Sequence, residues 1–545
     1  MTEKSLAIIG SGPTGIYTLQ AVVEAGDPLN VTVFEKSDCA GVGMPYADDA
    51  NTKLMLANIA SIEIPPIGMT YLDWLKLQPD VELEKHGVAK PHLHDRKFLP
   101  RILLGQYFRD QFLWLVDQAK EAGFEIQIRE STEVTDVEAC DDSVRIWVND
   151  DPEPLRFDWA VLATGHVWPD ADEATRSYFP SPWSGLVDAP VPAVRVGIMG
   201  TSLSAIDAAM AVVAQHGSFV ENDGRTTSFA LDRGSDALSV TLMSRSCLLP
   251  EADFYCPIPY EPLAHCTPEA LLSLADAGSD GLLDRAFELF AREIADADAA
   301  WAARIGLDDL NCETFEDAYF ADRLRHDPFR WAEYNLAETE ANKRNRVTVA
   351  WRYAILRMHE PFQEIIPHLT DGDRERFDNS LSRVFMDNYA AIPAESIRRL
   401  LALRDAGVLR LLELGDDYEK RVKADTTVLI IGEKQHEFDV FIDARGQRAM
   451  TSEDLPFEHL RRQLLEVGQD IPEVLDDYSL SAPDAARGRI ALGAMPYLIH
   501  DQPFVQGITA SAEIGSKVAT MIRGVKNRHR KRLFLRPAHS WSVKS

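Results

Sequence analysis

Apolar residues from Leu6 to Ile9 form a short unbroken run that ends at glycine. Ile16, Leu19 and Val23 then recur at helical spacing before a second apolar run, Val31 to Phe34. This order predicts strand, helix and parallel strand. Glu125 to Arg129 and Val144 to Val148 read as strands flanking the turn-prone Asp141-Asp142-Ser143, which predicts an antiparallel meander. Trp159 to Leu162 reads as a buried strand. The proline-rich stretch from Pro180 to Pro192 reads as a linker into another buried strand, Val194 to Met199, and an alanine-rich helix. From about Thr267 to Leu412 the apolar positions fall mainly at helical spacing. Strand patterns resume at Val428 to Ile431, Val440 to Ile442 and Ile490 to Leu492, followed by a helix near Ala510 to Met521.

The first strand and helix are joined by Gly10-Ser11-Gly12-Pro13-Thr14-Gly15, a G-x-G-x-x-G hexapeptide in the strand-to-helix setting that dinucleotide binding requires. Gly10 permits the tight turn, Gly12 lets the backbone approach a pyrophosphate, and Gly15 allows the helix to pack closely on the strand. Pro13 suits the first helical turn, where no backbone donor is needed. Glu35 stands twenty residues beyond Gly15 at the end of the Val31 to Phe34 strand, with Lys36 beside it. An acidic group there accepts hydrogen bonds from a ribose. Thr164 and Gly165, which close the Trp159 to Leu162 strand, are small residues of the kind found where backbone passes near a cofactor.

A second hexapeptide, Gly200-Thr201-Ser202-Leu203-Ser204-Ala205, also follows a strand and opens a helix, with Ser202 and Ala205 replacing the second and third glycines. Both residues are small enough for the same helix-end binding of phosphates. The strand Val240 to Met243 leads to Arg245 where an acidic residue is usual, and a cation there favours the 2′-phosphate of NADPH.

The expected architecture is α/β, with two Rossmann-like dinucleotide-binding domains for FAD and NAD(P) and a large helical insertion. Its expected parts are an FAD-binding domain over 1–185, an NAD(P)-binding-like domain over 186–262 and the insertion over 263–415. A return to the first domain follows over 416–522, then a basic tail over 523–545.

The chain has 545 residues, with 56 Lys and Arg against 86 Asp and Glu, a formal charge of −30 that argues against nucleic acid as a partner. The basic tail departs from this balance and reads as a solvated extension. Six cysteines without a C-x-x-C pair or metal-ligand spacing imply free thiols and no metal site. No hydrophobic segment or signal-peptide pattern is present, so membrane insertion is not expected and a cytoplasmic location is.

Gly41-Val42-Gly43-Met44-Pro45-Tyr46, Leu56-Ala57-Asn58-Ile59-Ala60-Ser61, His94-Asp95-Arg96, Pro100-Arg101 and Asp443-Ala444-Arg445-Gly446, with the two glycine loops, resemble the YdhS family of bacterial FAD/NAD(P)-binding proteins. The order of units also resembles the two-dinucleotide flavoproteins related to glutathione reductase. That resemblance implies FAD in the first site. It also implies that Gly507, Ile508 and Thr509, opening the last helix, lie by the flavin pyrimidine.

Further candidates are Asn58, facing the flavin, and Arg96 or Arg101, neutralising the pyrophosphate. Asp253, Tyr255 and Tyr260 are candidates for a substrate pocket, and Arg398 and Arg399 for an anionic substrate. No catalytic acid or base is singled out. The expected function is an FAD-dependent oxidoreductase, reduced by NADPH and acting on a small molecule, in one version as a monooxygenase. The alternative is an FAD-binding regulator or scaffold with little turnover. A disulfide reductase is disfavoured because Cys39 has no nearby partner cysteine.

Overall fold

The structure is a computed structural model that describes residues 4–169, 171–222 and 225–523. Its first sheet is built from β1 (Ser5–Ile9), β2 (Asn30–Phe34), β3 (Glu125–Arg129), β7 (Trp159–Leu162) and β18 (Ile490–Leu492), in the order β18-β7-β1-β2-β3 with every pair parallel. Strands of a parallel sheet covered on both faces need apolar residues on both sides, which is why Leu6, Ala7 and Ile8 are all buried. The first helix (Pro13–Glu24) and the last (Gly507–Arg523) pack together so closely that a side-chain carbon at Gly515 would lie 2.6 Å from the backbone of Tyr17 and Thr18.

A three-stranded antiparallel sheet of β4 (Val134–Ala139), β5 (Val144–Val148) and β6 (Leu155–Phe157) interrupts this unit. The expected meander is therefore present but starts later. Glu125 to Arg129 is not its first strand; it runs parallel to β2 at the sheet edge, in register with Asn30 to Phe34. One exposed face gives an edge strand the same alternation as a hairpin strand, so its sequence pattern does not reveal its partner.

The second sheet contains β8 (Tyr178–Phe179), β9 (Arg195–Met199), β12 (Ser239–Ser244), β13 (Leu409–Glu413) and β17 (Val440–Asp443), ordered β13-β12-β9-β17-β8 and again parallel. A hairpin of β10 (Gly217–Asn222) and β11 (Arg225–Leu231) and a three-stranded antiparallel sheet of β14 (Tyr418–Val422), β15 (Thr427–Ile431) and β16 (Lys434–Phe438) flank it. The expected return to the first domain from residue 416 is thus later than the strand pattern implied. β17 joins the second sheet, and of the strands beyond it only β18 joins the first. The basic tail lies outside the described residues except for Arg523, which ends the last helix and donates to the Val22 carbonyl at 2.5 Å.

Between β12 and β13 the chain forms helices from Pro268–Asp276 to Ala394–Asp405, whose core is rich in aromatic rings around Phe290, Phe315, Phe362 and Phe385. A buried ionic network fastens this helical domain to the loop after β12. Glu251 pairs with Arg352, accepts from Trp331 Nε1 at 2.6 Å and lies 3.9 Å from Arg323. Arg323 in turn meets Asp387 at 2.5 Å and donates to the Leu249 carbonyl at 2.7 Å. Two guanidiniums thus balance two carboxylates. Backbone bonds between Glu251, Asp253 and Ile392 fix the same loop to the domain's far end.

Burial opposes ionisation of Glu251, yet Arg352 and Arg323 hold its carboxyl below the ordinary range. A carboxyl with a lowered folded-state pKa contributes stability above its unfolded pKa and loses it as pH falls through the folded value. Replacing Glu251 by Gln leaves guanidinium charge uncompensated in the interior. The expected cost is about 3–5 kcal/mol, read in urea unfolding at neutral pH. The wild type, not the variant, should show the extra loss of stability on acidification.

Candidate functional site

The glycine loop after β1 lies at the point in the first sheet where chain connections diverge, between β1 and β7. Gly10 has φ +101°, and a Cβ there would lie 2.2 Å from the Ala163 carbonyl oxygen. At Gly15 a Cβ would lie 2.1 Å from the Gly10 carbonyl oxygen. Both positions therefore exclude any side chain. Gly12 caps the first helix with no side-chain hydrogen bond, and Pro13 occupies its first turn. The amides of that turn are left for a ligand, and the helix end favours an anion.

Glu35 closes the other side of this cradle. Its Oε2 accepts from the Ser11 amide at 3.1 Å and the Ser11 hydroxyl at 2.5 Å, while its Oε1 accepts from the Ser37 amide and hydroxyl, each at 3.0 Å. The Ser11 hydroxyl also accepts from the Gly41 amide at 2.8 Å. Ser11, fully buried, thereby ties the loop to β2 and to the Gly41–Gly43 turn behind it, a role that the motif alone does not reveal. Lys36 is exposed and pairs with Glu133 at 2.8 Å. Thr164 and Gly165 are exposed just beyond β7, with Gly165 at φ +72°.

The last helix opens beside the same loop. The Thr14 and Ser511 hydroxyls are 3.1 Å apart, and a Cβ at Gly493 would lie 3.0 Å from Thr14 Cγ2. Gly507, at φ +76°, and Thr509 are exposed there, while Ile508 is buried. The residues present fit FAD: two glycines that no side chain can replace, open amides at a helix end, and a fixed carboxylate at the adjacent strand end. Gly10, Ser11, Gly12, Thr14, Gly15 and Glu35 would hold it, and bound flavin would supply hydride chemistry.

The second loop repeats the design between β9 and β17. Gly200 has φ +126°, donates to the Met243 carbonyl at 2.7 Å, and would place a Cβ 3.0 Å from the Ala444 carbonyl oxygen and 3.2 Å from Ala205 Cβ. Ser202 caps the Leu203–Val213 helix without a side-chain hydrogen bond and is exposed. Arg245 is half exposed and stands 3.6 Å from Asp416. Asp443, opposed by burial, is held below the ordinary carboxylate range by Arg445 and Lys420, which orders the end of β17.

Arg101 was expected at the pyrophosphate, but its guanidinium meets Asp207 of the Leu203–Val213 helix at 2.7 Å and donates to the Leu56 carbonyl at 3.2 Å. Burial raises the Asp207 pKa and Arg101 opposes the rise. The pair joins the two dinucleotide units, and no charge remains over for a phosphate. Asn58 lines the adjoining cleft with Arg101, Leu203 and Asp207, and its Oδ1 is buried without a hydrogen-bond partner among the described residues.

Arg96 likewise turns elsewhere, lying over the Tyr255 ring at 4.9 Å. Asp253 accepts from Lys343 at 2.6 Å, and Tyr260 packs edge-on to Tyr353 at 6.0 Å. The expected pocket residues thus meet the first unit and the helical domain together. Burial raises the Glu63 pKa here, and it pushes the Cys256 thiol up to about 12, with Asp253 adding to the effect. Arg398 and Arg399 are structural: Arg398 pairs with Glu340 and Glu395, and Arg399 donates to the Leu54 carbonyl at 2.7 Å.

Comparison with known proteins completes this picture. YdhS of Escherichia coli (strain K12) is 56% identical over 530 residues, 97% of this chain and 99% of that protein. The chain belongs to the YdhS family. The family model described as the YdhS-like middle domain matches residues 267–389, within the helical domain, and an FAD-NAD(P)-binding model matches residues 7–167. In this YdhS-family chain, then, the first glycine loop lies in an FAD/NAD(P)-binding domain. Among solved structures, the reduced form of ornithine hydroxylase PvdA from Pseudomonas aeruginosa is 14% identical, with a TM-score of 0.51 over 96% of this chain and 100% of that one. At that identity the likeness shows the fold.

Two substitutions test the cradle. Gly10→Ala should abolish flavin retention, because its methyl group has no space beside Ala163. Glu35→Ala should weaken FAD binding roughly tenfold to a hundredfold, the effect of losing charged hydrogen bonds. Both are read by flavin fluorescence titration of apo-protein.

Proposed function

We propose that this chain is an FAD-dependent oxidoreductase that draws reducing equivalents from NADPH and acts on a small molecule. The observation that carries the reading is the pair of glycine loops, each at the diverging point of a parallel sheet and each opening a helix without a side-chain cap. One such loop holds a nucleotide; two allow a reduced nucleotide to serve a second, bound cofactor. Arg245 at the end of β12 supports NADPH over NADH, since a guanidinium pairs with a 2′-phosphate.

The chain's own residues supply binding and placement. Gly10 and Glu35 fix the first nucleotide, Gly200 and Ser202 the second, and the Arg101–Asp207 pair holds the two units in register. The loop carrying Asp253, Tyr255 and Tyr260, clamped by the Glu251 network, supplies the substrate face. Paired charges and tyrosines there suit a polar small molecule. A disulfide substrate has no support, because all six cysteines are free thiols and burial raises the pKa of Cys247, Cys256, Cys266 and Cys312.

Anaerobic mixing with NADPH should bleach the flavin rapidly, and a flavin that stays oxidised would assign the chain to regulation or scaffolding instead. NADH should bleach more slowly, and Arg245→Ala should remove most of that preference by weakening NADPH roughly tenfold. Adding O₂ to the reduced protein then distinguishes the reaction classes. Oxygen insertion predicts a transient flavin absorbance before reoxidation, whereas plain hydride or electron transfer predicts none.

A further inference from the structure

The segments that follow β7 and β17, each packed against one of the glycine loops, meet in a seam where His166 reaches Gln447. Ala163, against which Gly10 packs, directly follows β7, and His166 and Trp168 come within a few residues. β17 ends at Asp443, Ala444 meets Gly200, and Gln447 follows. One side of the seam thus comes from each dinucleotide unit. Nε1 of Trp168 is buried without a hydrogen-bond partner among the described residues, while the His166 imidazole and the Gln447 amide, buried at Nδ1 and Oε1, meet each other. A buried donor left unpaired is costly, so Trp168 Nε1 beside the His166–Gln447 pair marks a place shaped for a ligand.

The chemistry of that ligand follows from what surrounds these atoms. The Trp168 ring lies 6.0 Å from His166 and 6.3 Å from Trp183, and the Arg101 guanidinium lies 5.6 Å from Trp183. The walls are therefore flat and aromatic. Arg101 is already neutralised by Asp207. Burial, opposed by the Gln447 amide, lowers the pKa of His166 and so favours the neutral imidazole. None of the three groups brings a charge to recognise a carboxylate or a phosphate. What they present is an indole N–H donor, an amide oxygen acceptor and an imidazole nitrogen, set beside aromatic faces.

We propose that His166, Trp168 and Gln447 form the recognition site for the carboxamide of a nicotinamide ring. In this arrangement the Trp168 N–H donates to the carboxamide oxygen and Gln447 Oε1 accepts from its NH₂ group. The inference rests on the NADPH reading above and adds to it the residues that hold the reactive end of the nucleotide. The second glycine loop holds the phosphates at one end; this trio holds the ring at the other, between the two units. Trp168 and Gln447 are binding residues in this account, and His166 positions Gln447.

Calorimetric titration of the FAD-loaded full chain with NADP⁺ and with 2′,5′-ADP, which shares the adenosine phosphates but lacks nicotinamide, tests the assignment. Trp168→Phe keeps the aromatic face and removes the donor; Gln447→Leu keeps the bulk and removes the acceptor. Each should weaken NADP⁺ binding roughly three- to tenfold, the effect of one neutral hydrogen bond, while the Kd for 2′,5′-ADP and the flavin content stay unchanged.

Equal weakening of both nucleotides, or of neither, would overturn the proposal. So would a loss of flavin with NADP⁺ affinity unchanged, which would give these groups to the flavin ring edge. A wild type that binds NADP⁺ no tighter than 2′,5′-ADP would also overturn it while leaving the second nucleotide site intact. A wild type that binds neither would remove the NADPH reading and this inference together. If Trp168→Phe does not fold, Gln447→Leu carries the same comparison.

Discussion

No side-chain carbon fits between Gly10 and the Ala163 carbonyl, and the rest of the structure is arranged around that contact. Backbone must meet backbone there for the first helix to start directly behind β1 with its amides open to a diphosphate. The same constraint recurs between Gly200 and the Ala444 carbonyl. Each parallel sheet thus brings its central strand end against the end of a neighbour, β7 in one case and β17 in the other. Glu35 and Ser11 then hold the first loop in place before any ligand arrives. That preorganisation lowers the cost of binding.

The helical domain solves a different problem. The loop after β12 must present Asp253, Tyr255 and Tyr260 toward the first unit, and a loop alone is too mobile for that. Glu251, Arg352, Arg323 and Asp387 lock its start into the helical core through balanced buried charges. Such a network is a weak source of net stability but a strict source of geometry: removing any one member leaves a charge without its partner. The Arg101–Asp207 pair plays the corresponding part between the dinucleotide units.

The parts legible in the sequence were those set by local constraint. Glycine spacing after an apolar run marks the first loop, because φ values near +100° and sub-contact distances admit only glycine, and the family match places residues 7–167 in an FAD/NAD(P)-binding domain. The parts that stayed hidden depend on partners far away in the chain. Glu125 to Arg129 looks like a hairpin strand but pairs with β2, and Val440 to Ile442 joins the second sheet through β9. Arg101, Arg398 and Arg399 looked like ligand-binding cations; their carboxylate or carbonyl partners lie between 3 and 345 residues away, which residue type alone does not disclose. Ser11 read as filler between two glycines, yet its hydroxyl joins Glu35 to Gly41. His166 and Gln447 carried no motif at all, and only their contact across 281 residues of chain sets them apart.

The central claim is that the Gly10–Gly15 loop and Glu35 form a ready-made FAD site. The most direct measurement is the visible absorption spectrum of the purified chain, before and after incubation with FAD and removal of the excess. The account predicts a yellow protein, or one that takes up flavin in equimolar amount. A chain that is folded by circular dichroism yet colourless after that incubation would contradict it.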